Sequence, residues 1–151
     1  MHRVWAVMAA LVAAIALSAC GGGDEEGLSE GEYREQTQKI SDTFDSKFTP
    51  ALEKSRTGGE EQQLEGIEEL GASSDEAAQE LDKVQPPDEF KQVHDKLSES
   101  LVKTGDGADA LAEAAAAEDQ GKIESTRTAF QQSLRDLQTA GSEFNQKVGI
   151  K

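Results

Sequence analysis

The chain has 151 residues, with 15 basic side chains against 30 acidic ones, a formal charge of −15 and a single cysteine. So acidic a body excludes nucleic acid as a partner, because phosphate backbones repel it. One cysteine excludes an internal disulfide.

The chain opens Met-His-Arg and carries an unbroken apolar run from Val4 to Leu17 that ends in the small residues Ser18 and Ala19. This is the layout of an export signal. At 14 residues the run falls short of the roughly 18 to 20 that a bilayer-crossing helix needs. Leu17-Ser18-Ala19-Cys20 resembles the lipobox of bacterial lipoprotein precursors. In that family the cysteine sulfur receives a diacylglyceryl group and the chain is cut just before it. The resemblance covers residues 1–20; it implies a signal peptide over 1–19 and lipidation of Cys20. The alternative is an ordinary secretory signal with a cysteine near its cleavage site. An exported chain with one thiol needs a use for it, and acylation supplies one. Two acyl chains, at about 0.8 kcal/mol per buried CH₂, hold a protein on a bilayer far more firmly than one.

After cleavage, 14 basic residues face 30 acids, a formal charge of −16. Anionic lipid heads repel such a body, so it should stand off the membrane that holds it. "GGGDEEG" suits a flexible acidic tether over 20–28, since glycine keeps it supple and the acids keep it solvated. Residues 29–151 are then the folded domain.

Leu, Ile, Val and Phe make up 23 of the 132 mature residues, a composition that by itself points to disorder. Periodicity argues the other way. Tyr33, Ile40, Phe44, Phe48 and Leu52 recur at helical spacing, with a capping box from Ser29 and Glu32 at the start and Gly58-Gly59 as a stop. Pro50 removes the amide that would bond Ser46, so a kink or break is expected there, with Thr49 recapping the continuation. The second stripe, from Leu64 through Leu70, Ala77 and Leu81 to Val84, ends at Pro86-Pro87. Asp88 and Glu89 suit the first turn of a third helix, whose stripe is Phe90, His94, Leu97, Leu101, Thr104, Ala108, Leu111 and Ala115. Its phase holds through Gly105-Asp106-Gly107, which favours one long helix with a weak spot. After a turn at Asp119-Gln120-Gly121, the fourth stripe runs Ile123, Arg127, Phe130, Leu134, Leu137, Gly141, Phe144 and Val148, where only the arginine is out of character.

The predicted helices run about 26 to 32 residues, roughly 40 to 48 Å at 1.5 Å per residue. Matched lengths and short connections give an all-α fold, an antiparallel up-down-up-down four-helix bundle. No strand pattern is present. Many inward positions hold serine, threonine, glycine or alanine, which implies close helix packing and a thin core.

His94 is the one histidine of the mature chain. As a metal or haem ligand it lacks partners. No mature methionine offers a second axial ligand, and Lys91 and Leu97 occupy the positions where di-iron Glu-x-x-His or the His-x-x-Glu of imelysin-like iron-uptake proteins would place a glutamate. The structural reading is a histidine near a helix start, bonded to a backbone carbonyl or to Tyr33 at the same end of the bundle. A third reading makes it a pH sensor. Between Glu60 and Lys83, nine acids and one lysine suit either loose binding of divalent cations or a basic partner, or simply a solvated face; no calcium-loop spacing is present. A triad has no general base besides His94, and the carboxylates are too evenly spread to single out an acid/base pair. The five phenylalanines read as packing residues.

Beyond residue 20 the chain is similar in style to small helical lipoproteins and secreted proteins of high-GC Gram-positive bacteria: "LSACGGG", an acidic leash, and a third helix that begins "PPDEFKQVH". The expectation is a protein on the outer face of the plasma membrane, bound to it through Cys20. It acts not as an enzyme and without a cofactor, but as an interaction or structural bundle with an envelope protein as partner. The alternative is a small-ligand or metal-binding sensor built around His94. That reading requires a cavity of roughly 300 Å³ or more lined by His94 and aromatics.

Overall fold

The computed structural model describes residues 28–150; the expected signal peptide, Cys20 and nearly all of the expected tether lie outside them. The fold is an all-α antiparallel four-helix bundle, with α1 over Glu30–Thr57, α2 over Glu60–Asp82, α3 over Lys91–Ala116 and α4 over Gln120–Val148. None of these helices is long and apolar enough to cross a membrane.

α1 starts where its cap dictates. The Glu32 amide donates to Ser29 Oγ and the Glu32 carboxylate accepts from the Ser29 amide at 3.1 Å, which satisfies two otherwise orphaned donors. The helix then runs without interruption through Pro50, so the expected break and the recapping by Thr49 do not occur. Pro50, Thr49 and Ser46 all lie on the exposed side. The carbonyl of Ser46 that proline leaves unpaired therefore faces water, and nothing forces the chain to turn.

α2 spans 23 residues and is shorter than expected, because the chain leaves the helix at Lys83 ahead of Pro86-Pro87. Asp88 and Glu89 do not form the first turn of α3. They lie in a turn in which the Phe90 amide bonds Pro87 O at 2.9 Å, and α3 starts only once Phe90 has dropped into the core. α3 continues through Gly105 and Gly107 as one helix. The final turn also sits earlier than expected: Glu118 takes φ 53°, and Asp119 caps α4 by accepting from the Lys122 amide at 3.1 Å, so Gln120 and Gly121 are helical.

Antiparallel order is visible in contacts between helix ends. Lys54 near the end of α1 pairs with Glu65 and Glu69 near the start of α2, and Lys96 of α3 pairs with Glu143 of α4. Small residues let α1 and α2 approach closely. A Cβ on Gly66 would lie 2.6 Å from Ser55 N and 2.9 Å from Ala51 O, both backbone atoms that cannot move aside. Extensive contacts join α1 to α2, α2 to α3 and α3 to α4; α1 and α4 do not pair along their length. The bundle thus has one open seam.

Candidate functional site

The seam closes at one end only. There Tyr33 from α1, Val84 from the α2–α3 connection, Phe90 ahead of α3, and Phe144 and Val148 from α4 form a buried cluster. Tyr33 stacks on Phe90 with ring centroids 5.4 Å apart and meets Phe144 at 6.3 Å. Arg34 ties α1 to α4 directly: its Nε donates to Val148 O at 2.7 Å, while its guanidinium lies 5.8 Å from the Phe90 ring centre.

His94 belongs to this base. It is 5 % exposed, and its Nδ1 lies 2.9 Å from the Tyr33 hydroxyl. The expected tyrosine bond is therefore present. Desolvation pulls the imidazole below its ordinary titration range, against the opposing pull of Asp95 and Asp82, and desolvation likewise pushes the Tyr33 phenol upward. Both groups are thus held neutral at physiological pH. Among the described residues, no group of three His, Cys, Asp or Glu side chains is placed to hold a metal ion.

Beyond the base, α1 and α4 diverge into an open groove of about 1790 Å³. Its α1 wall runs from Thr37 to Arg56 and its α4 wall from Gln120 to Asn145, which at 1.5 Å per residue makes it roughly 30 Å long. Phe44, Phe48 and Leu52 line one side and Ile123, Leu134 and Leu137 the other. The rings of Phe44 and Phe48 meet at a tilt with centroids 4.6 Å apart, yet both stay only half-buried. All five phenylalanines pack against the core, as expected; Phe130 and Phe144 are buried yet also border the groove, and Phe44 and Phe48 form its half-buried wall.

The groove also accounts for the arginine on the α4 stripe: Arg127 stands on the rim, together with Gln131, Arg135 and Gln138. No carboxylate of α4 lines the groove. On α1, Asp45 is the one acid of the wall, and burial together with Asp42 pushes its carboxyl upward. His94 is not among the lining residues, so the large cavity and the histidine are separate features, contrary to the arrangement that a His94-centred ligand site requires.

Of the residues singled out from sequence, Cys20 lies outside the described residues and His94 lies in the closed base. The groove was missed. Its one sequence signal is Arg127, a charge on an otherwise apolar stripe. The acids of α2 between Glu60 and Asp82 largely face solvent, and three of them, Glu65, Glu69 and Glu76, pair with lysines of α1. Comparison of the chain with protein families, with curated proteins and with solved structures finds no match.

Proposed function

We propose that this protein is a non-enzymatic binding bundle of the cell envelope, held on the outer face of the plasma membrane by acyl chains on Cys20, with the α1/α4 groove as its interaction surface. One observation carries the binding role. A chain with only 23 large aliphatic or phenylalanine residues after cleavage leaves Phe44, Phe48 and Leu52 half-buried along an open trough instead of closing over them. Contiguous apolar surface left accessible marks an interaction site. The anchor rests on Leu17-Ser18-Ala19-Cys20 and on the tether that follows. His94 enters as part of the base that holds the groove's closed end, since Tyr33 already occupies its Nδ1.

Two measurements test the two halves. Cells fed labelled palmitate should label the wild-type protein and leave Cys20→Ala unlabelled; an unlabelled wild type removes the anchor. Purified protein should take up an apolar fluorescent dye at one site per chain. Gly141 lines the groove and has nothing within 4 Å of a Cβ placed on it, so Gly141→Trp, checked for folding by its helical melting curve, should put an indole into the trough and obstruct it. Equal dye uptake by both proteins would remove the groove from the account.

A further inference from the structure

We infer that Tyr33 and His94 form an acid-sensitive latch on the closed end of the groove: the neutral pair pins the first turn of α1 against α4, and protonation of His94 lets that turn swing away while α2, α3 and α4 stay packed. The latch stands whether or not the groove takes a guest. Because α1 and α4 do not pair along their length, the contacts at the base hold the two together. Tyr33 meets Phe144 with ring centroids 6.3 Å apart, and Arg34 Nε donates to Val148 O at 2.7 Å. Tyr33 is fixed in turn by the Phe90 ring and by His94 of α3. Farther along α1, Ile40 and Phe44 pack onto a cluster that includes Ala77, Ala78 and Leu81 of α2. Release of the first turn therefore leaves the rest of α1 seated.

The bond suits one charge state. Among the described residues the Tyr33 hydroxyl has no other partner, so the phenol O–H donates to a neutral Nδ1. A second proton on the ring turns Nδ1 into a donor and leaves the phenol hydrogen without an acceptor among Val84, Phe90, Phe144 and Val148. Neighbouring charges do not rescue the cation. His94 sits in the first turn of α3, where the positive end of the helix dipole opposes it, and α1 brings a second cation, Arg34, to the face of the Phe90 ring. Asp82 of α2 and Asp95 of α3 favour the charged ring, yet both are exposed and neither is bonded to it. α4 turns Phe144 and Val148 toward the cluster, while its Lys147 is exposed and its Glu143 pairs with Lys96. Burial opposes the charged imidazole, so the ring gains by reaching water. Tyr33, one turn from the start of α1, is the neighbour that yields, because helix ends open at the least expense of free energy.

The test uses the mature chain, residues 20–151, with Cys20→Ser and nitroxides on Gly31→Cys in the first turn of α1 and Gln146→Cys in the last turn of α4. Both positions are exposed, and a Cβ on Gly31 meets nothing within 4 Å. Pulsed electron resonance at pH 7.5 should give one short distance. As pH falls to 5 a longer population should rise several-fold, by no more than about tenfold per pH unit because one proton drives it. Lys103→Cys with Asp136→Cys, across the contacting α3/α4 pair, should hold its distance throughout. His94 is the one histidine of the mature chain, so its imidazole proton resonances follow the titration directly and should move over the same pH range as the distance. His94→Gln, which keeps a neutral acceptor for Tyr33, should show the short distance at both ends of the range. A distance constant down to pH 5, an equal change in His94→Gln, or a parallel opening of the α3/α4 pair overturns the inference. Should His94→Gln fail to fold, the wild type decides alone: a distance that changes out of step with the imidazole resonances overturns the latch, and one that changes with them upholds it.

Discussion

The Tyr33 hydroxyl and His94 Nδ1 lie 2.9 Å apart although 61 positions separate them in the chain. The bond joins the first turn of α1 to the first turn of α3, inside the cluster that closes one end of the groove. Burial holds His94 below its ordinary value, so the unfolded chain binds the proton more readily than the folded one. The sign follows: this contribution is intact above about pH 6.5 and is lost as pH falls through that value toward the folded titration point. Asp95 and Asp82, which favour the charged ring, limit the loss. Thermal melts across pH 7.5 to 5 should show the decline in wild type and a flatter profile in His94→Gln; parallel profiles would contradict the assignment. At the alkaline end Tyr33 acts in the opposite sense, since its raised phenol makes stability fall as pH rises past about 10.

Two glycines should respond in opposite directions to the same substitution. Gly66→Ala drives a methyl against the backbone of Ser55 and Ala51 and should lower stability by about 1 to 3 kcal/mol, despite alanine's better helix propensity. Gly141→Ala meets nothing within 4 Å and should raise stability by about 1 kcal/mol. Urea unfolding of both variants checks the pair.

Pro50 lies inside a continuous α1 and denies Ser46 a partner. Pro50→Ala restores that backbone bond on an exposed face, and a gain of up to about 3 kcal/mol is expected. An unchanged or lowered denaturation midpoint would mean that α1 gains nothing from an unbroken ladder at this point.

Phe144 and Phe44 separate stability from binding. Phe144 is 2 % exposed in the closed base, so Phe144→Ala should cost about 3 to 5 kcal/mol. Phe44 is half-buried on the groove wall, and Phe44→Ala should cost roughly half of a full side-chain burial, about 1 to 2 kcal/mol, while lowering apolar dye uptake several-fold. Dye uptake unaffected by Phe44→Ala would place the guest elsewhere.

Helix number, order and partner faces were legible because apolar residues at steps of three and four leave no other way to bury them, and capping at Ser29 fixed the first boundary. Tyr33 and His94 were legible as neighbours because antiparallel order puts the starts of α1 and α3 at one end. Where boundaries shifted, tertiary burial overrode local signals: Phe90 had to reach the Tyr33 ring before α3 could begin, which left Asp88 and Glu89 outside it. Pro50 misled because its effect depends on which side of the helix faces water. The open seam was illegible for a different reason. A stripe records that Phe44 and Leu134 face inward, but it does not record whether α1 and α4 meet there.

That separation is the claim on which the binding role depends, and it can be measured as a distance. Nitroxides on Thr49→Cys and Gln131→Cys, in a Cys20→Ser background, span the seam from wall to wall, while Lys103→Cys with Asp136→Cys spans the contacting α3/α4 pair. Pulsed electron resonance should give a longer distance across the seam than across α3/α4. A seam no wider than the contacting pair would mean that α1 and α4 close over the apolar walls in solution, and the groove would not exist to bind anything.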